Sequence, residues 1–228
     1  MTDLIRQAAT MILIRDGEKG LQVYMTRRPD TMLFLPGYYV FPGGGMQSED
    51  RDERIFSCCQ KRDLAVDLSY AITAIRECYE EVGYLLADVN GRPAWEQADF
   101  AAQLRQQIES GAVTFHDWVL SAKPRLRTDL IRYYGHRITP RTVSTRRFDT
   151  RYFLTVVPPH VKLAPCRQEV AHAEWMEPAA ALEQAKSGAI HMVPPTMDAL
   201  ADLACFSNTA EAFRYGAGVG NPRPHESR

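Results

Sequence analysis

The chain has 228 residues and a formal net charge of -1; 45% of its residues are hydrophobic and 24% charged. That length holds one large domain, or one domain with an elaborated insertion, and the composition excludes a wholly disordered polymer. Balanced charge gives no argument for DNA or a membrane as partner, although in residues 123–151 nine Lys and Arg stand against two acids, Asp129 and Asp149.

The apolar run at residues 8–14 is too short for a membrane span and lacks the layout of a signal peptide. Residues 8–15 and 21–26, rich in Ile, Val, Leu and Tyr, flank Asp16-Gly17-Glu18-Lys19-Gly20 and predict a β-hairpin. Residues 38–41 predict a short aromatic strand, halted by Pro42 and a glycine turn of Gly43, Gly44 and Gly45. Residues 46–66 read as an inserted loop with one helical turn. In residues 67–82, Leu68, Ala71, Ile72, Ile75, Tyr79 and Val82 repeat at helical spacing; Asp67 or Ser69 suits the start, and Gly83 the left-handed position after the end.

Residues 94–134 predict two or three helices. Residues 148–158 predict a central strand with apolar residues on both faces, and residues 170–176 another strand. Helices are expected at residues 178–187 and 196–206. The Gly/Pro-rich stretch of residues 216–228 reads as a loose tail. Strands at both ends with helices between them predict a single α/β domain over residues 1–215, with a helical insertion at about 94–134. The five cysteines are odd in number and lack a CxxC pair, which predicts reduced thiols and a cytoplasmic protein.

The segment with most chemical content is Arg76-Glu77-Cys78-Tyr79-Glu80-Glu81-Val82-Gly83. On a helix Glu77, Glu80 and Glu81 stand at i, i+3 and i+4, sharing a face opposite the apolar stripe. Two carboxylates about 5 Å apart repel by roughly 3 kcal/mol at an effective dielectric of 20. A hard cation reverses that sign: magnesium is usually held by one or two carboxylates with water and substrate phosphate. Glutamates on one helix face are commonly just a solvated face. Here the upstream glycines let a backbone carbonyl approach a metal or phosphate, and Arg76 is placed to tether a carboxylate.

These residues, with Pro42-Gly43-Gly44 upstream, resemble the signature of the Nudix hydrolase family. The resemblance implies an α/β/α sandwich with a mixed sheet, and magnesium as cofactor with manganese as its substitute. It implies Glu80 and Glu81 as principal metal ligands and Glu77 as a further ligand or the general base. Arg76 would hold a glutamate, and a backbone carbonyl near Gly44 would complete the metal shell. The spacing from Gly44 to Arg76 is longer than usual, and the signature's early glutamate would fall at Leu68, so it is absent. Glu169 is a candidate substitute base; its plainer reading is a hairpin residue.

The insertion inside the signature resembles the acyl-CoA diphosphatase branch. So do Phe34-Leu35-Pro36-Gly37, Ile138-Thr139-Pro140, the run from Arg146 to Phe153, Glu174-Trp175 and Pro194-Pro195-Thr196. The implied reaction is cleavage of the diphosphate of CoA or acyl-CoA into 3',5'-ADP and a phosphopantetheine. CoA also carries a 3'-phosphate, so its site needs cations: Arg27, Arg28, Arg146 and Arg147 are the candidates, with Arg141 and Arg151 beside them; the plainer reading of several of these is pairing with local acids. The signature alone does not name the substrate. ADP-ribose, NADH, a dinucleoside polyphosphate and capped RNA share the diphosphate, and a non-catalytic nucleotide sensor shares the fold. A small phosphate-rich metabolite is the expected partner, with no DNA and no membrane. The 94–134 insertion is expected either to cover the site or to form a homodimer contact.

Overall fold

Alternation along the first strand decides how the molecule layers. The computed structural model describes residues 5–61, 63–139, 147–216 and 218–219. In β1 (Arg6–Gly17), Ala9, Met11 and Leu13 pack into one apolar cluster and Ile12 and Ile14 into another, all fully buried. A strand sends successive side chains to opposite faces, so β1 lies between two layers.

The expected hairpin is present: β2 (Gly20–Arg27) folds back antiparallel, with Gly17 opposite Gly20. β9 (Phe148–Val156) pairs with β1 in parallel, from Arg6 opposite Phe148 to Ile14 opposite Val156. β8 (Ile131–Ile138) runs antiparallel beside β9, and β10 (His172–Met176) antiparallel beside β2. The strand order is β10-β2-β1-β9-β8, with β3 (Tyr39–Val40) on β2 and β4 (Gly43–Gly45) on β1.

One face is covered by α2 (Leu68–Val82), whose Ala71, Ile75, Cys78, Tyr79 and Val82 join Met11, Leu13 and Phe153. Burying each Ile or Val there stabilises by about 1.5–3 kcal/mol. Asp67 caps α2 by accepting from the Ser69 N–H at 2.9 Å, and Gly83 ends it at φ 75°. The opposite face carries α5 (Pro178–Lys186), α6 (Pro194–Leu203) and α7 (Thr209–Tyr215), whose Ala181, Leu200 and Ala212 pack against Ile12, Val23 and Leu154. The result is the expected α/β/α sandwich with a mixed sheet.

Four expectations need correction. Gly43–Gly45 is a strand rather than a turn, because it pairs with residues 8–10 of β1. The 46–66 segment holds two short helical pieces, a 3-10 turn at Ser48–Arg51 and α1 (Glu53–Phe56). The 94–134 segment contains two full helices, α3 (Ala98–Glu109) and α4 (Phe115–Ala122). They are bracketed by a small sheet of β5 (Ala87–Val89), β6 (Arg92–Pro93) and β7 (Arg125–Leu126), and residues 131–134 already belong to β8. The loose-tail reading fails at Val219, which is 1% exposed and donates its N–H to the Tyr134 carbonyl at 2.7 Å. Residues 217 and 220–228 of that segment lie outside the described residues. All five cysteines are free, and no helix among the described residues is long and apolar enough to cross a membrane.

Candidate active site

A strand of glycines beneath a helix of glutamates lets two backbones approach closely. A Cβ at Gly43 would lie 2.5 Å from the Ala9 carbonyl oxygen, and one at Gly44 would lie 2.5 Å from Glu77 Oε2. Only glycine leaves room for both the β1 backbone and the glutamates of α2. The Gly43 N–H then donates to Glu81 Oε2 at 3.1 Å, and the Gly45 carbonyl accepts from Arg76 Nη2 at 2.9 Å.

The carboxylates oppose the apolar stripe, as the spacing requires, but they are not a solvated face. Glu81 is 8% exposed and the Glu77 side chain 14%. Burial pushes the Glu77 carboxyl up to about 7 despite the Arg76 guanidinium beside it. Burial, followed by repulsion from Glu77 and Glu169, holds the Glu81 carboxyl well above the usual range. Burial also raises Glu80, partly offset by Arg76.

Arg76 is 1% exposed and reaches both sides of the motif. Its Nη1 lies 2.7 Å from Glu77 Oε1 and 3.2 Å from Glu80 Oε2. Its other edge is held by Asp50, whose carboxylate accepts from Arg76 Nε at 3.1 Å and Nη2 at 3.0 Å. Asp50 is fully buried and also accepts from Thr73 Oγ1 at 2.9 Å and the Gln47 N–H at 2.9 Å. His116 Nε2 lies 2.8 Å from Asp50 Oδ1. Burial alone would raise this carboxyl, but hydrogen bonds from His116 and Arg76 outweigh it and hold it at about 2. A buried Asp that stays ionised thus orients the arginine. Leu68, where the signature's early glutamate would stand, is instead buried apolar packing.

Glu77, Glu81 and Gly44 line a cavity of about 780 Å³, and Glu169 stands on its rim. Arg28 and Arg137 line it too, beside apolar walls that include Met32, Phe34, Leu35, Phe148 and Pro195. Phe34 and Phe148 form a tilted pair with ring centroids 5.3 Å apart. Glu80 does not line this cavity; it flanks Arg76 instead.

The candidate arginines divide. Arg28 lines the cavity and donates from Nε to the Phe34 carbonyl at 2.9 Å. Arg27 pairs with Asp30 at 2.7 Å, and Arg147 donates from Nε to the Thr139 carbonyl at 2.8 Å; neither lines the cavity. Arg151 pairs with Asp149 and lies over the Tyr70 ring. Arg141 and Arg146 lie outside the described residues. Sequence reasoning missed Asp50, His116 and Arg137. A lone Asp in a polar loop and a lone His in an insertion carry no local signal, while Arg137 sits in the basic segment that was singled out.

The donor set suits a hard divalent cation. It offers carboxylate oxygens and a glycine backbone, and burial leaves the carboxylates with raised affinity for positive charge. Among the described residues no three His, Cys, Asp or Glu side chains are preassembled as a metal cage. Magnesium does not require one, because it keeps several waters and takes one or two carboxylates.

Comparison with known proteins identifies the family and the fold. Residues 54–203 match the NUDT19 Nudix domain. A crystal structure of a NUDIX hydrolase from Alicyclobacillus acidocaldarius superimposes with a TM-score of 0.78 at 30% identity, covering 96% of this chain and all of that one. The acyl-coenzyme A diphosphatase NUDT19 of Gallus gallus is 28% identical over 252 residues, which cover 88% of this chain and 66% of the relative. The Homo sapiens protein of the same name is 22% identical over 258 residues, covering 88% and 65%. The chain therefore spans just under two thirds of the length of these curated relatives.

Proposed function

The chain belongs to the Nudix family, and from that premise we propose that it is a magnesium-dependent diphosphate hydrolase acting on CoA or acyl-CoA. The observation that carries the reading is that Glu77 and Glu81 line one cavity together with Arg28, Arg137 and apolar walls that include Met32, Phe34 and Phe148. Acyl-CoA has that mixed character: a charged diphosphate, a nucleotide and an apolar acyl chain carried on a thioester. The NUDT19 relatives named as acyl-coenzyme A diphosphatases support the same substrate class.

Glu81 and Glu77, which line the cavity, would hold the magnesium, with Glu80 beside them turned to Arg76, and the bound ion would neutralise diphosphate oxygens and acidify water. The rest falls to the chain's own residues. The Gly43 N–H fixes the Glu81 carboxylate, and Arg76 fixes Glu77 and Glu80. Arg28 and Arg137 stand where phosphate oxygens would enter, although Arg137 is shared with Asp198 at 2.8 Å. Glu77 serves either as a metal ligand or, off the metal, as the proton acceptor. Glu169, on the cavity rim near Glu77 and Glu81, is the alternative acceptor. Phe34, Phe148 and the Pro194-Pro195 edge exclude water from the rest of the substrate.

The test is a panel of CoA, acyl-CoA, ADP-ribose, NADH and diadenosine polyphosphates with magnesium, with products separated by chromatography. CoA species yielding 3',5'-ADP and a phosphopantetheine is the expected result. Preferred turnover of another member would discard the CoA reading and keep the carboxylate site.

Gly44→Ala is a sharper probe of geometry. The new methyl would lie 2.5 Å from Glu77 Oε2 and 2.6 Å from its Cδ. These atoms end a side chain, so the carboxylate is displaced while the strand survives. Activity is expected to fall about 10–100-fold, the cost typical of disturbing the support of a metal site, with a small change in unfolding temperature.

Metal and pH are linked with a definite sign. Glu77 titrates at about 7 in the folded chain against 4.5 ordinarily. As pH rises between these values the unfolded state releases its proton first, so metal-free stability falls and the loss is complete above the folded value. Magnesium offsets that loss. Its stabilising shift in unfolding temperature is expected to be larger at pH 8 than at pH 5.5, and Glu77→Gln should flatten the difference.

A further inference from the structure

The insertion does not cover the cavity: among the described residues, none from 94–134 lines it. It packs behind α2, and two of its polar side chains are buried there. Arg105, on α3, donates from Nε to the Glu80 carbonyl at 3.1 Å and from Nη2 to the Glu81 carbonyl at 3.2 Å. Its Nη1 reaches the Ala164 carbonyl. The last carbonyls of a helix have no partner within it, and a cation there complements the negative helix end. His116, on α4, has an ionised carboxylate as its neighbour, so Nε2 is the donor to Asp50.

We propose that the insertion is a clamp that positions the carboxylate helix. Arg105 fixes the backbone from which Glu80 and Glu81 project. His116 fixes Asp50, and through it the guanidinium of Arg76 that orients Glu77 and Glu80. Both are positioning residues; neither touches the cavity. An apolar stripe alone lets a helix rotate slightly on its sheet, whereas a reacting constellation must be held within about 0.5 Å. The two polar ties grip the helix near its end and through its central arginine. The inference rests on α2 being the hydrolytic site.

The test compares His116→Leu, which removes the donor, with His116→Gln, which restores an N–H near the Nε2 position. Three quantities are measured on each: Mn²⁺ affinity without substrate, kcat and KM for CoA hydrolysis, and unfolding temperature. His116→Leu is expected to weaken Mn²⁺ binding and lower kcat by about tenfold each, with KM nearly unchanged, and His116→Gln to recover most of both. If His116→Leu does not fold, Arg105→Lys, which keeps the charge but cannot span two carbonyls, is expected to show the same two losses. A folded variant with lower unfolding temperature but wild-type Mn²⁺ affinity and kcat would overturn the clamp and leave the site reading intact. A wild-type chain that binds no Mn²⁺ would overturn the site reading and the clamp together.

Discussion

Glu81→Gln is expected to cut hydrolysis by orders of magnitude while leaving the fold intact and, without metal, more stable at pH 8. The side chain is 8% exposed, and its carboxyl titrates far above the usual range because of burial and the nearby Glu77 and Glu169. Gln has the same shape and no charge. Its amide oxygen still accepts from the Gly43 N–H, so that hydrogen bond is kept. Removing a buried carboxylate that repels its neighbours relieves the native state most at alkaline pH, where both would otherwise ionise. The same change removes a metal ligand, and the expected loss in kcat/KM is roughly 10²–10⁴-fold. Activity and thermal unfolding of one preparation check both halves. A variant that loses stability, and loses activity only in proportion to its unfolded fraction, would make Glu81 a structural residue.

The second large effect falls on stability. Asp50→Ala leaves the Arg76 guanidinium, 1% exposed, without two of its acceptor atoms and removes the acceptor of His116 Nε2, while Thr73 keeps the Ser69 carbonyl. Removing one partner of a buried ion pair costs about 3–5 kcal/mol, because the surviving charge stays buried. At about 2–4 °C per kcal/mol for a chain of this size, the unfolding temperature should drop on the order of 10 °C. Asp50→Asn keeps one acceptor oxygen but loses the charge and sets an NH2 against the remaining donors, so it should fall in between. The pH dependence has the opposite sign to that of Glu77. Asp50 titrates at about 2 when folded against 3.8 ordinarily, so its contribution is present above the unfolded value and lost as pH falls through the folded one. The gap between wild type and Asp50→Ala should therefore narrow between about pH 4 and pH 2. A gap that is constant across that range would mean that Asp50 acts through packing alone.

How much was legible in the sequence follows from how local each signal is. The α2 helix was readable because Asp67, the apolar stripe and Gly83 all lie within one segment. The hairpin and β9 were readable from alternation that the sheet preserves. The glycine strand reads as a turn in the sequence, since three residues without side chains carry no alternation. It is a strand only because β1 supplies its hydrogen bonds and α2 needs its thinness. Asp50 was invisible for a different reason: Arg76 and His116 lie 26 and 66 residues away in sequence. That all three glutamates share a helix face followed from helical geometry. That Glu77 and Glu81 line the cavity while Glu80 flanks Arg76 depended on where β4 sits beneath the helix.

The central claim is that the carboxylate helix hydrolyses a diphosphate with a divalent cation, and a magnesium titration of CoA hydrolysis tests it most directly. Release of 3',5'-ADP from wild-type protein near neutral pH should rise with magnesium, saturate, and vanish on chelation. Turnover that chelation does not change, or tight CoA binding with no product at any magnesium concentration, would contradict it.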